Sequence, residues 1–150
     1  MNDEYYMSIV LKEAEKAALK NEIPVGAVLV DESGFIIAKN HNLINILNDP
    51  TAHAEILVIR EASKKLGLRL TKTSLYVNME PCPMCAGALV LARIRRLIYA
   101  VPSPYGAAES LFNITNNPNL NHRIEITAGC LESESKKILK TFFCSKRNKF

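Results

Sequence analysis

Cys82 and Cys85 stand in the run Pro81-Cys82-Pro83-Met84-Cys85, between a short apolar stretch ending at Met79 and a longer one reaching Ala92. That setting predicts a strand followed by a helix, with both sulfurs at the helix's opening turn. Unpaired N–H groups and the positive end of the helix dipole favour thiolates there, the form of cysteine that binds metal or exchanges disulfides. Taken alone, the pair fits a zinc site and also a thioredoxin-like redox centre.

Thr51-Ala52-His53-Ala54-Glu55, upstream, places an imidazole and a carboxylate two positions apart at the start of another helical stretch. Were the two segments to meet, one nitrogen and two sulfurs, from His53, Cys82 and Cys85, would fill three positions of a tetrahedron, the arrangement the resemblance named below implies. The fourth is left for water, as catalytic zinc requires and closed structural zinc does not. A water held there becomes acidic enough to supply hydroxide near neutral pH. Glu55 cannot share the helical face of His53, so it stays outside the ligand set and is free to move protons. A partly buried site would raise its pKa into the working range. Cys130 and Cys144 have no paired spacing, and Cys144 follows the apolar run Thr141-Phe142-Phe143, so both read as small core residues and not as a closing fourth ligand.

The elements that must position these groups follow from apolar spacing. Glu4 to Lys20 repeats apolar residues at helical intervals, acidic early and basic late. Val25–Val30 and Phe35–Ala38, joined by Asp31-Glu32-Ser33-Gly34, predict a β-hairpin, followed by a loop from Lys39 to Pro50. A second helix is expected over Ala52–Leu66, capped by Thr51 and stopped at Gly67. Leu75–Met79 predicts a strand, Pro81–Ala92 a helix, and Arg96–Val101 another strand. After Pro102 and Pro104, a short helix near 107–113, a strand over Arg123–Thr127 and a final helix from about Leu131 to Lys146 complete the order. Strands alternating with helices imply a three-layer α/β/α domain around one sheet, mostly parallel after the opening hairpin.

The 150 residues, 48% hydrophobic and 23% charged, suit a single globular domain over 1–150 with no repeat or biased tract. No apolar run approaches the ~20 residues that span a bilayer, and Met1–Tyr6 carries Asp3 and Glu4 where a leader would be basic. A cytoplasmic protein without disulfides is expected. The net charge of +4 does not by itself define a nucleic-acid binder, but the positive charge is clustered. Arg93, Arg95 and Arg96 form one group; Lys136, Lys137, Lys140, Lys146, Arg147 and Lys149 form another. Either could be a solvated face or a phosphate-binding surface.

His53-Ala54-Glu55 followed by Pro81-Cys82-Pro83-Met84-Cys85 resembles the His-x-Glu, Pro-Cys-x-x-Cys pattern of zinc deaminases. With Ile23-Pro24-Val25-Gly26-Ala27-Val28, Asn48-Asp49-Pro50-Thr51, Ala86-Gly87-Ala88, Asn121-His122-Arg123 and Phe142-Phe143, the chain resembles bacterial tRNA-specific adenosine deaminases over nearly its whole length. That family makes inosine at the wobble position. The resemblance implies a cytidine-deaminase-like fold with a central mixed five-stranded sheet. It implies one zinc per chain on His53, Cys82 and Cys85, with Glu55 as proton shuttle while hydroxide attacks C6 of adenine. It also implies that Asn42 hydrogen-bonds the flipped base, that Ile23 and Phe143 pack around it, that the partner is a tRNA anticodon loop bound partly by the C-terminal lysines, and that the enzyme is a homodimer. His122 and Arg123 are not assigned chemistry. Deamination of a free base or nucleoside, such as cytosine or guanine, is the alternative the same metal chemistry would serve. A non-catalytic zinc module that binds RNA is a further one. The chain departs from the family at Val101-Pro102-Ser103-Pro104-Tyr105-Gly106, where an Asp and a Lys are usual, and Tyr105 there could stack on a base or cover the core.

Overall fold

Helix α1, Asp3–Leu19, turns one apolar face inward, burying Tyr6, Met7, Val10, Leu11, Ala14 and Ala17 at helical spacing. Asn2 caps it by accepting the Tyr5 N–H, and Asp3 and Glu4 complement the dipole. The structure, a computed structural model, describes residues 2–106 and 108–147. Strands β1 (Gly26–Asp31) and β2 (Ile36–His41) form the expected hairpin. Next come α2 (Ala54–Leu66), β3 (Thr73–Met79), α3 (Pro83–Leu91), β4 (Arg96–Val101), β5 (Glu125–Ala128) and α4 (Glu132–Arg147).

The five strands form one sheet in the order β2-β1-β3-β4-β5. β1 pairs antiparallel with both neighbours, whereas β3, β4 and β5 are parallel. Strand β1 alone therefore runs against the rest, and α2 carries the chain over it to lay β3 parallel to β2. The sheet is mixed and mostly parallel, as expected; that β1 lies between β2 and β3 was not visible from the order of elements.

Side-chain alternation makes two cores. Val28, Val30, Tyr76, Ile98 and Ala100 face α1 with Met7 and Val10. Ala27, Leu29, Leu75, Val77, Leu97 and Tyr99 face the opposite layer with Val58 and Ala62 of α2 and Leu89 and Val90 of α3. Each fully buried large apolar side chain contributes about 1.5–3 kcal/mol, so the layers hold the strand ends in fixed register. Gly26 is required where α1 crosses β1: a Cβ there would overlap the Val10 carbonyl oxygen and press on Ala14 N.

Several boundaries differ from expectation. β2 continues to His41 because Lys39, Asn40 and His41 pair with Val28, Ala27 and Gly26. α2 starts at Ala54 and α3 at Pro83, because His53 and Cys82 hold extended backbones as N-caps. Thr51 does not cap α2; its hydroxyl donates to Asp49. The helix expected near 107–113 is absent among the described residues, 108–112 being turns and bends and 113 irregular, with residue 107 outside them. The Glu109 and Ser110 amides go to the Glu80 carboxylate instead of opening a helical ladder. β5 lies two residues later than expected at its start. Among the described residues no helix is long and apolar enough to cross a membrane.

Candidate active site

The carboxyl ends of parallel strands are where open α/β sheets place their ligands, because loops and helix N-termini converge there. β3 ends at Met79 and delivers Cys82 and Cys85 to the start of α3. The segment after β2 delivers His53 and Glu55 to the start of α2. His53 Nδ1 lies 3.6 Å from Cys82 Sγ and 3.5 Å from Cys85 Sγ. The donor atoms of these three residues all lie within 4.8 Å of one another, a spacing that could hold a metal ion. No fourth His, Cys, Asp or Glu joins the group among the described residues.

The donor set fits zinc, which favours imidazole and thiolate. The Cys85 thiol beside it, helped by His53, holds the Cys82 thiol down to about 4. Cys85 is pushed up, by Cys82 and by burial, and His53 is raised, chiefly by Cys82. Zinc takes both cysteines as thiolates and the imidazole neutral, so its binding would displace the protons these groups hold.

Glu55 sits in the first turn of α2, only 3% exposed. Burial pushes its carboxyl up to about 6, opposed by the neighbouring His53. Its Oε2 is buried with no hydrogen-bond partner, an expensive arrangement unless something else occupies the site. A carboxyl of that affinity can both take and give a proton near neutral pH.

Asn42 is also buried, and its Oδ1 accepts the Ala54 N–H at 2.9 Å, supplying the cap that neither Thr51 nor His53 provides. Its Nδ2 makes no hydrogen bond among the described residues. Ile23 and Phe143 are partly exposed, at 39% and 41%, on the segment before β1 and on α4; they lie outside the ligand cluster. Cys130 packs against the α1-side core as expected, but Cys144 is exposed. α4 turns Ser135, Leu139 and Phe142 inward, and residue 144 falls off that face.

Three residues that carry no motif organise the surroundings. Asn78 accepts the Gly26 N–H, donates to the Pro24 carbonyl, and accepts on its own carbonyl from Ser135 of α4, tying three elements to the end of β3. Glu22, buried, accepts the Asn45 and Ile46 N–H groups. Glu80, also buried, gathers donors from the loop after β4. The signal for all three was a polar side chain beside apolar residues, too common to single out.

The basic groups divide. Arg96 is ion-paired with Asp3 at 3.1 Å and Arg93 donates to the Asn121 carbonyl, so both brace the fold. His122 shares a hydrogen bond with the Ile94 carbonyl, a structural role. On α4, Lys137 and Lys140 are exposed, Lys136 pairs with Glu132, and Lys146 lies over the Phe142 ring. The Arg147 side chain and Lys149 lie outside what is described.

A His/Cys/Cys donor site with a buried carboxylate on the adjoining helix, beyond the carboxyl end of the central strand of a mixed α/β sheet, fits a metal-dependent hydrolase of the deaminase type. Residues 1–101 match the cytidine and deoxycytidylate deaminase zinc-binding region, and the chain belongs to that family. It is 46% identical over 150 residues to the tRNA-specific adenosine deaminase of Aquifex aeolicus, covering 99% of this chain and 98% of that one. A solved structure from a study of A-to-I editing by tRNA:A34 deaminases at the wobble position of transfer RNA superposes with TM-score 0.86 at 47% identity, covering 90% of this chain and 99% of that one. A guanine deaminase from Nitrosomonas europaea superposes with TM-score 0.81 at 25% identity, covering 93% and 83%.

Proposed function

We propose that this chain converts adenosine to inosine at the wobble position, residue 34, of tRNA. The observation that carries the chemistry is the buried Glu55 carboxylate, its Oε2 without a hydrogen-bond partner, on the helix that begins beside the His53–Cys82–Cys85 donor cluster. The substrate is supported by identity at 46% to a tRNA-specific adenosine deaminase across nearly both chains, against 25% to a guanine deaminase.

His53, Cys82 and Cys85 hold the zinc, which when bound supplies a Lewis acid that makes water nucleophilic near neutral pH. Glu55 takes a proton from the attacking water and passes it to the ring nitrogen of adenine; it then takes the remaining proton from the new C6 hydroxyl and gives it to the C6 amino group, which leaves as ammonia as the C6 carbonyl forms. The free Asn42 Nδ2 is a donor for an acceptor on the base. Ile23 and Phe143 supply partly exposed apolar surface around it. An anticodon loop offers a base already free of a duplex, so little pairing energy opposes its entry. Lys137 and Lys140 meet its phosphates, which makes binding weaken as salt rises.

Residues 1–150 act as one domain, since α4 packs back on α1, β3 and β4. Two copies form a homodimer in this reading, supported by the strongly exposed Leu68 and Leu91 on segments that the Leu70 N–H to Ala92 carbonyl bond joins. Its substrate sets the enzyme to work in the cytoplasm.

Incubation of the pure protein with an anticodon stem-loop carrying A34, and separately with guanine, cytosine and adenosine, tests the reading. Inosine in the stem-loop with the small molecules untouched is the expected result. Ammonia from a free base with an unchanged stem-loop assigns the chain to the free-base deaminases instead.

A further inference from the structure

We propose that Glu80 is a positioning residue: its carboxylate latches the loop after β4 to the metal-bearing start of α3, and so holds Tyr105 out as a stacking surface for a nucleotide next to the one deaminated. The second half rests on the tRNA reading above; the latch itself does not.

Glu80 immediately precedes Pro81-Cys82, and its own N–H donates to the Val101 carbonyl at the end of β4. Its side chain is buried and accepts from the Ser103 N–H at 3.2 Å, the Glu109 N–H at 2.9 Å, the Ser110 N–H at 2.8 Å and the Ser110 hydroxyl. One carboxylate thus collects four donors from both sides of the loop, and hydrogen bonds to an ionised acceptor are about twice as strong as neutral ones. Gly106 lies against this carboxylate: a Cβ there would overlap it, so a side chain at this position has to push the Glu80 carboxyl off its donors. Within the loop, the Gly106 N–H returns to the Ser103 carbonyl and the Tyr105 N–H to the Ser103 hydroxyl oxygen.

The base of the loop is therefore fixed while its tip is not covered. Tyr105 is 75% exposed, between Pro104 and Gly106, and so does not cover the core. The loop leaves β4 at the same carboxyl edge at which β3 delivers Cys82. An aromatic ring on a rigid loop at that edge suits an unpaired nucleobase, which stacks on a flat apolar face whatever its identity. Glu80 joins the two: the residue that fixes the base of the loop is two positions from a metal ligand.

The test uses Glu80→Gln, whose amide replaces one accepting oxygen by a donor aimed at N–H groups. Amide hydrogen exchange at Ser103, Glu109 and Ser110 is expected to accelerate at least about tenfold with one zinc per chain retained. KM for the anticodon stem-loop is expected to rise about tenfold with kcat within about twofold. Tyr105→Ala should give the same KM rise, and the double variant no more than either single one. Unchanged exchange overturns the latch, and loss of zinc assigns Glu80 to the metal centre instead. Additive KM effects separate Glu80 from Tyr105. If Glu80→Gln does not fold, Ser110→Ala and Gly106→Ala disturb the same contact from the loop side and must raise exchange at these amides. Wild-type protein that leaves the stem-loop untouched overturns the tRNA reading and the stacking role, while the exchange rates separately decide the latch.

Discussion

Asn42 Oδ1 accepts the backbone N–H of Ala54 at 2.9 Å, so the residue proposed to offer Nδ2 to a base also caps the helix that carries Glu55. The proposed base contact and the observed helix cap would share one side chain. Removing it disturbs both, and the two roles separate by choice of substitution. Asn42→Ala should lower stability by about 1–2 kcal/mol, the usual loss for a helix cap, and depress activity. Asn42→Asp keeps the accepting oxygen and loses the donor. Thermal melts should leave it near wild type while kcat/KM falls at least about tenfold; equal melting losses in both variants would remove the binding role.

Glu55 and the ligands should fail differently. Glu55→Ala is expected to keep one zinc per chain, measured by elemental analysis, and to lose about a thousandfold or more in turnover, because one carboxylate serves several proton transfers. Cys82→Ser and His53→Ala should lose zinc. Chelated wild-type protein should be inactive and recover when zinc is returned. An active Glu55→Ala protein would favour a non-catalytic zinc module.

Gly26→Ala inserts a methyl group where the Val10 carbonyl and Ala14 amide of α1 press on β1. Overpacking of this kind costs about 1–3 kcal/mol. A fall in the denaturant midpoint with unchanged slope is the expected reading.

Glu13 is buried on α1, bonded to Lys16 at 2.9 Å and to His41 Nδ1 at 2.8 Å, while Lys20 approaches His41 Nε2 at 3.0 Å. Burial raises its carboxyl, but the Lys16 and His41 contacts outweigh that and the net shift is downward. A depressed carboxyl stabilises the fold fully above the unfolded value near 4.5 and loses that contribution as pH falls through the lower folded value. The melting temperature should therefore drop on acidification below about pH 4.5 more steeply in wild type than in Glu13→Gln. Parallel curves would show that Glu13 takes no part.

The amino-acid order alone determined the local facts. Apolar spacing located every strand and the four helices to within a few residues, because periodicity is a property of contiguous chain. The resemblance of His53-Ala54-Glu55 and Pro81-Cys82-Pro83-Met84-Cys85 to the zinc-deaminase pattern named the donor set, since each half is a short contiguous stretch of chain. Boundaries shifted at His53 and Cys82 because an N-cap is extended backbone that propensity does not mark.

What tertiary structure alone decided was which distant groups meet. Strand β1 between β2 and β3, Asn42 as the cap of α2, Asn78 joining Pro24 to α4, and Glu80 gathering the amides of the loop after β4 all depend on contacts across the sheet. The same global packing turned Cys144 outward and paired Arg96 with Asp3. A buried polar side chain is satisfied by whichever donor the fold brings within about 3 Å, and no local pattern records that partner.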